Sequence, residues 1–292
     1  MSQPVWGTSI QPSRSLRGMV ASAHPLASAA GLSMLKQGGN AIDAAVATTL
    51  AIGVVEPFSA GLGAGGFLLW RPTNTGKIEA LDFRERAPLQ ATATMYLDPQ
   101  GKVRPKASTD GYLAVAVPGT VAGLVEAHRR FGRLPWPTVV RPAIALAQQG
   151  FIVSDRLSEA TQSRLDLLNR NPSARAIFTR NGTPYKSGDR LIQTDLSRTL
   201  AAIAQRPQRF YTGDIAAAIA RDMARNGGLV TLKDLEQYKP TWRSPVCGTF
   251  RKLQVCSMPP PSSGGVHLIE LLNLWSRGNL NTQPWHSLDA LH

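Results

Sequence analysis

The run Ala41-Ile42-Asp43-Ala44-Ala45-Val46-Ala47-Thr48-Thr49-Leu50-Ala51-Ile52-Gly53-Val54 most narrows what this chain can fold into. It has the length of a helix and is apolar nearly all round, so it must be buried on every side. Asn40 precedes it as an N-cap, offering a side-chain oxygen to the free amides of the first turn. Gly38-Gly39 closes an alanine-rich segment that begins at Pro25, a residue suited to the first helical position because its missing N–H costs nothing there. A helix over 25–37 followed by a buried helix over 41–54 demands a sizeable core. At 292 residues and 43% hydrophobic content, the chain has the material for one.

Beyond these helices, Gly61-Leu62-Gly63-Ala64-Gly65-Gly66 forms a glycine loop. The segment 66–70 reads as a short buried strand and 78–83 as an alternating one, with Gly76 supplying the turn between them. That hairpin carries Arg84 at its exit. Residues 89–111 are less regular, with a turn at Asp98-Pro99-Gln100-Gly101. Helices are expected over 119–131, 137–149, 155–169, 194–205 and 213–226. Thr231-Leu232-Lys233-Asp234 resembles a capping box that opens a short helix to Tyr238. Residues 241–257 return to strand character, and Gly265 to Ser276 reads as an apolar-striped helix. Residues 1–17 read as an irregular leader and 18–292 as one structural unit. The last residues, 285–292, look like the opening of a further helix with Ser287 as N-cap, and one turn of helix is not stable alone. Truncation is therefore expected.

The formal charge of +13 raises the question of a nucleic-acid partner. The cations are dispersed, with pairs at Arg129-Arg130 and Arg251-Lys252 but no basic block and no aromatic–basic interleaving. No nucleic-acid partner is expected. Cys247 and Cys256 lie in a strand region where a hairpin disulfide would fit; the cysteine-poor composition favours two reduced thiols. Neither has a histidine at ligand spacing, so no metal is expected. No run of about 18 apolar residues is present, so no membrane span is expected. The segment Arg17-Gly18-Met19-Val20-Ala21-Ser22-Ala23 is broken by His24-Pro25 and is too short for an export signal, which leaves a cytoplasmic location as the expectation.

Three constellations carry candidate chemistry. The loop Gly61–Gly66 fits G-x-G-x-x-G, and Asp82 lies near the distance of a ribose partner, so a dinucleotide-binding protein is one alternative. A dinucleotide site needs strand, loop, then helix, and here a helix precedes and a strand follows. Close backbone approach in a core loop is the better account. Arg84 offers a planar fork that pairs both oxygens of a carboxylate, as recognition of an amino-acid α-carboxylate requires. Read from residues alone, an ion pair of Arg84 with Asp82 or Glu85 is favoured. The segment Pro259-Pro260-Pro261-Ser262-Ser263-Gly264-Gly265 suits a rigid turn into the following helix. Its serines lack a nucleophile elbow, and His267, the nearest of the five histidines, reads as a helix-surface residue.

Four ordered stretches together carry a resemblance. They are Gly38-Gly39-Asn40-Ala41-Ile42-Asp43-Ala44-Ala45, Gly61 to Phe67, Asp82-Phe83-Arg84-Glu85-Arg86-Ala87-Pro88, and Met258 to Gly265. The chain closely resembles the γ-glutamyltransferases, also called glutathione hydrolases, from about Gly18 to its end. The resemblance implies an N-terminal-nucleophile hydrolase of αββα sandwich type, here its helix-rich first half with part of the central sheets. It implies transfer of the γ-glutamyl group of glutathione and related compounds to water or to amino-acid and peptide acceptors, without cofactor. It assigns Arg84, and not Arg86, to the substrate α-carboxylate. In such enzymes the precursor cuts itself and the new N-terminal threonine attacks the γ-glutamyl amide, its own α-amino group acting as base. No counterpart of that threonine is seen: Thr48-Thr49 is the only adjacent threonine pair and lies in the buried helix. No catalytic residue is therefore expected in this chain, which should be inactive without a C-terminal small subunit. A non-catalytic truncated fragment is the other alternative.

Overall fold

Asp43 shows why the first two helices sit where they do. Its side chain is fully buried, and Oδ2 accepts the N–H of Asn40 at 2.8 Å while the Asn40 side chain caps the amides of Ile42 and Asp43. The same carboxylate accepts the N–H groups of Arg133 and Leu134 at 3.1 and 3.2 Å, from a loop 90 residues away. One buried acid thus closes a helix start and pins a distant turn.

The computed structural model describes residues 14–277 together with 287 and 288. Helix α1 (Pro25–Lys36) ends before Gly38, whose φ of 85° ends the helix as the glycine pair predicts, and α2 (Ala41–Val55) follows. Strands β1 (Phe67–Trp70) and β2 (Glu79–Asp82) form the expected hairpin. Then come α3 (Thr120–Phe131), α4 (Trp136–Gln149), β3 (Phe151–Ile152), α5 (Asp155–Ser163), α6 (Leu165–Arg170) and α7 (Pro172–Phe178). Strands β4 (Thr179–Arg180), β5 (Thr183–Pro184) and β6 (Arg190–Leu191) are two-residue pieces. The series closes with α8 (Thr194–Gln205), α9 (Arg209–Thr212), α10 (Asp214–Arg225), α11 (Leu232–Gln237), β7 (Thr241–Arg243), β8 (Val246–Phe250), β9 (Leu253–Ser257) and α12 (Gly264–Arg277).

The main sheet has the order β1-β2-β7, all antiparallel, with Leu81 opposite Leu68 and Trp242. Helix α2 packs on α1, α3 and α4, and α4 packs on α8, enclosing a core that includes Val46, Leu50, Leu81, Val139 and Leu200. Two smaller clusters lie under α9–α11, around Leu235 and Phe210. The expected single helix 155–169 is instead α5 and α6, broken at Arg164. Thr231 and Asp234 do form a capping box, with Asp in the place where Glu or Gln is usual.

One expectation is corrected. Cys247 and Cys256 are not free thiols: they face each other across the β8–β9 hairpin, Cα to Cα 4.1 Å, and are joined as a disulfide. Composition argued for reduced cysteines, but antiparallel register places the two side chains on the same face of directly opposed residues. The helix expected over 285–292 lies outside the described residues, apart from Ser287 and Leu288. So does most of the leader 1–17. Among the described residues, no helix is long and apolar enough to cross a membrane.

Candidate functional site

Where β2 ends, Ala80, Leu81, Asp82 and Phe83 are all buried, so both faces of the strand are covered, and the chain turns outward at Arg84. Asp82 organises that turn. Its Oδ1 accepts the N–H of Arg84 at 3.0 Å, and its Oδ2 receives Nε and Nη2 of Arg243, on β7, at 2.9 and 2.8 Å. From the other side the Tyr238 hydroxyl donates to the Arg84 carbonyl at 2.8 Å. Both backbone groups of Arg84 are therefore held while its side chain stays 57% exposed.

The guanidinium is not idle. Nη1 lies 2.6 Å from Glu85 Oε2, the ion pair that the residues alone suggest, while Asp82 is taken by Arg243. An exposed pair of this kind contributes about 0–1 kcal/mol, so it orients the fork more than it occupies it. Among the described residues Nε and Nη2 make no hydrogen bond. A planar carboxylate has two donors left to meet.

The glycine loop backs this corner. Gly66 and Phe83 exchange backbone hydrogen bonds of 3.2 and 3.0 Å, extending the hairpin by one rung beyond β1 and β2. The Ala64 carbonyl accepts the N–H groups of Gly119 and Thr120, both at 2.9 Å, and so ties the loop to the start of α3. A Cβ on Gly65 would lie 2.6 Å from the Glu85 nitrogen, and one on Gly119 would fall on the Phe83 carbonyl and the Tyr238 hydroxyl. The glycines serve close approach of three backbones. The loop leaves α2 and enters β1 rather than opening a helix, and the α3 amides that meet it are taken by the Ala64 carbonyl, so a pyrophosphate has no seat there.

Arg86, given no role by the sequence, is a staple. Its Nη2 donates to the Lys239 carbonyl at 2.8 Å and to Thr241 Oγ1 at 3.1 Å, and its guanidinium lies 5.2 Å above the Tyr238 ring. Tyr238 stacks on Tyr211 with centroids 5.8 Å apart. The Tyr211 hydroxyl donates to the Pro118 carbonyl and accepts the Ala122 N–H. Burial pushes the Tyr238 hydroxyl up to about 12; Arg86 opposes this, and Asp82 and Glu85 reinforce it. It is a proton donor throughout the neutral range. Tyr238 and Arg243 were invisible as site residues, since they lie more than 150 residues from Arg84 and carry no motif.

The serine–histidine alternative does not assemble. His267 is exposed on α12, and its link to Ser263 is a backbone hydrogen bond of 3.1 Å from its N–H to the Ser263 carbonyl. Among the described residues no group of His, Cys, Asp and Glu is arranged to hold a metal ion.

These elements form the helix-rich part of an α/β fold of N-terminal-nucleophile hydrolase type. The chain belongs to the gamma-glutamyltranspeptidase family, whose profile matches residues 27–292. It is 44% identical over 282 residues to the glutathione hydrolase proenzyme of Escherichia coli strain K12, covering 96% of this chain and 48% of that protein. It is 40% identical to the acylase ACY 1 proenzyme of Pseudomonas sp. strain V22, covering 97% of this chain and 52% of the other. The crystal structure of Helicobacter pylori gamma-glutamyltranspeptidase superimposes with a TM-score of 0.93 at 41% identity, over 96% of this chain and 81% of that one. The chain spans about half the length of the curated relatives it matches.

Proposed function

We propose that this chain supplies the donor-carboxylate clamp of a γ-glutamyltransferase and glutathione hydrolase. The observation that carries the reading is Arg84: backbone fixed on both sides, side chain exposed, and two guanidinium donors open beside the Glu85 pair. In a member of the gamma-glutamyltranspeptidase family, the fork of Arg84 takes the α-carboxylate of the γ-glutamyl donor and thereby sets where its γ-amide lies. A threonine hydroxyl, supplied from a C-terminal half, adds to the γ-carbonyl. The amine leaves with a proton, and an ester to threonine remains. Water or an acceptor amine then attacks that ester, releasing glutamate or a new γ-glutamyl amide. Glutathione is the donor proposed first, because glutathione hydrolase is the name its relative carries. The acylase relative adds other amides as a second donor class.

The cytoplasmic location read from the sequence is weakened by the Cys247–Cys256 bond, since reducing compartments keep such pairs apart. The test is release of p-nitroaniline from γ-glutamyl-p-nitroanilide by the chain alone and with a co-expressed C-terminal half. Release only when both are present supports the reading. Release by the chain alone shows that it holds its own nucleophile, and silence from two folded halves together removes the activity.

A further inference from the structure

We propose that Tyr238 is a positioning residue for donor binding, acting through the Arg84 backbone; this rests on the carboxylate-clamp reading above. The geometry is specific. Arg84 sits one residue beyond a buried phenylalanine at the end of a strand, where a chain usually gains freedom. Two groups remove that freedom: Asp82 takes the Arg84 N–H, and Tyr238, arriving from the end of α11, donates to its carbonyl at 2.8 Å. With both peptide groups fixed, the guanidinium swings only about its own side-chain torsions. Fewer orientations are then lost when a carboxylate binds.

Tyr238 is itself rigid. Arg86 lies over one side of its environment and Tyr211 stacks against its ring, while Gly119 leaves no space for another atom beside the hydroxyl. The aromatic pair continues to α3, because the Tyr211 hydroxyl bridges Pro118 and Ala122. Thus the segment that follows α11 and the first turn of α3 jointly set where Arg84 stands. A residue needed only for packing would not have to present a hydroxyl to that particular carbonyl. Phenylalanine would fill the same volume, keep the stack and remain under Arg86.

The test uses the reconstituted enzyme and three proteins: the parent, Tyr238→Phe and Arg84→Ala. Two donors are compared, γ-glutamyl-p-nitroanilide and 4-aminobutyryl-p-nitroanilide, which lacks the α-carboxylate. Loss of one neutral hydrogen bond predicts that Tyr238→Phe raises KM for the first donor roughly 3- to 10-fold with kcat within about two-fold. It leaves KM for the second donor unchanged, so discrimination between the donors shrinks. Arg84→Ala abolishes that discrimination. If Arg84→Ala alters KM and Tyr238→Phe does not, the positioning role is wrong and the clamp stands. If neither alters it, the clamp reading itself falls. If Tyr238→Phe lowers kcat on both donors equally, its role is structural and the proposal is overturned. Tyr238→Leu, which removes the ring as well, should add a stability loss without further loss of discrimination; restored discrimination in that variant would also count against the proposal.

Discussion

Helices α2 and α12 are both rich in apolar residues, yet they end in opposite environments. In α2, ten of fifteen residues are buried, Leu50 among them at 3% exposure. In α12, Gly265 is the buried residue, while Leu271 and Leu274 are 62% and 68% exposed. The difference lies in neighbours rather than in sequence. Helix α2 is flanked by α1, α3 and α4, whereas the main packing of α12 is on the β8–β9 hairpin. The amino-terminal helices make a finished core, and the far end presents a one-sided layer: Trp275 packs edge-on against Phe250 of β8, while the apolar stripe at 268, 271 and 274 is exposed among the described residues.

The contrast makes quantitative demands. The largest effect should come from Asp43→Ala. Removing a fully buried acceptor leaves several amides unpaired, and urea unfolding should show a loss of about 3 kcal/mol or more. Next, Leu50→Ala should cost about 2–5 kcal/mol, whereas Leu271→Ala should stay within about 0.5 kcal/mol. Equal losses at the two positions would show that α12 is packed as tightly as α2, and the contrast would collapse. Gly119→Ala should cost about 1–3 kcal/mol, because its methyl group displaces the Phe83 carbonyl or the Tyr238 hydroxyl.

The smallest effect is a pH dependence. The folded-state value of Tyr238 lies above its ordinary 10.0, at about 12. A raised value means that this contribution is complete below pH 10. It is lost as pH climbs toward 12, because the unfolded chain sheds the proton first. Burial is the main cause, with Asp82 and Glu85 adding and Arg86 opposing. Chemical denaturation from pH 9 to 12 should therefore fall less steeply in Tyr238→Phe than in the parent; identical slopes would mean that the folded environment does not hold the hydroxyl neutral.

Much of this was legible from local signals. Pro25, Gly38, Asn40 and the Thr231–Asp234 pair marked helix boundaries to within a residue or two, because capping chemistry is written in neighbouring residues. Arg84 was singled out through its motif, and what the structure adds is its setting, a backbone held on both sides and an exposed side chain. What stayed hidden was set by distance in the chain. Tyr238, Arg243 and the Tyr211 bridge reach Arg84 and α3 from another part of the fold, and no periodicity foretells such meetings. The split of the helix expected over 155–169 was hidden for a different reason, since no glycine or proline marks the break at Arg164. The cysteine pair was misjudged because composition outweighed register, although both residues had been placed in strands.

The account stands or falls on Arg84. The most direct measurement is KM for γ-glutamyl-p-nitroanilide in the reconstituted enzyme carrying Arg84→Ala, beside Arg84→Lys. Truncating one partner of a charged bidentate pair predicts a loss of about 2 kcal/mol or more, roughly a 30-fold rise in KM, with lysine recovering only part of it. An Arg84→Ala enzyme with the parent KM would contradict the clamp and leave Arg84 as a surface partner of Glu85.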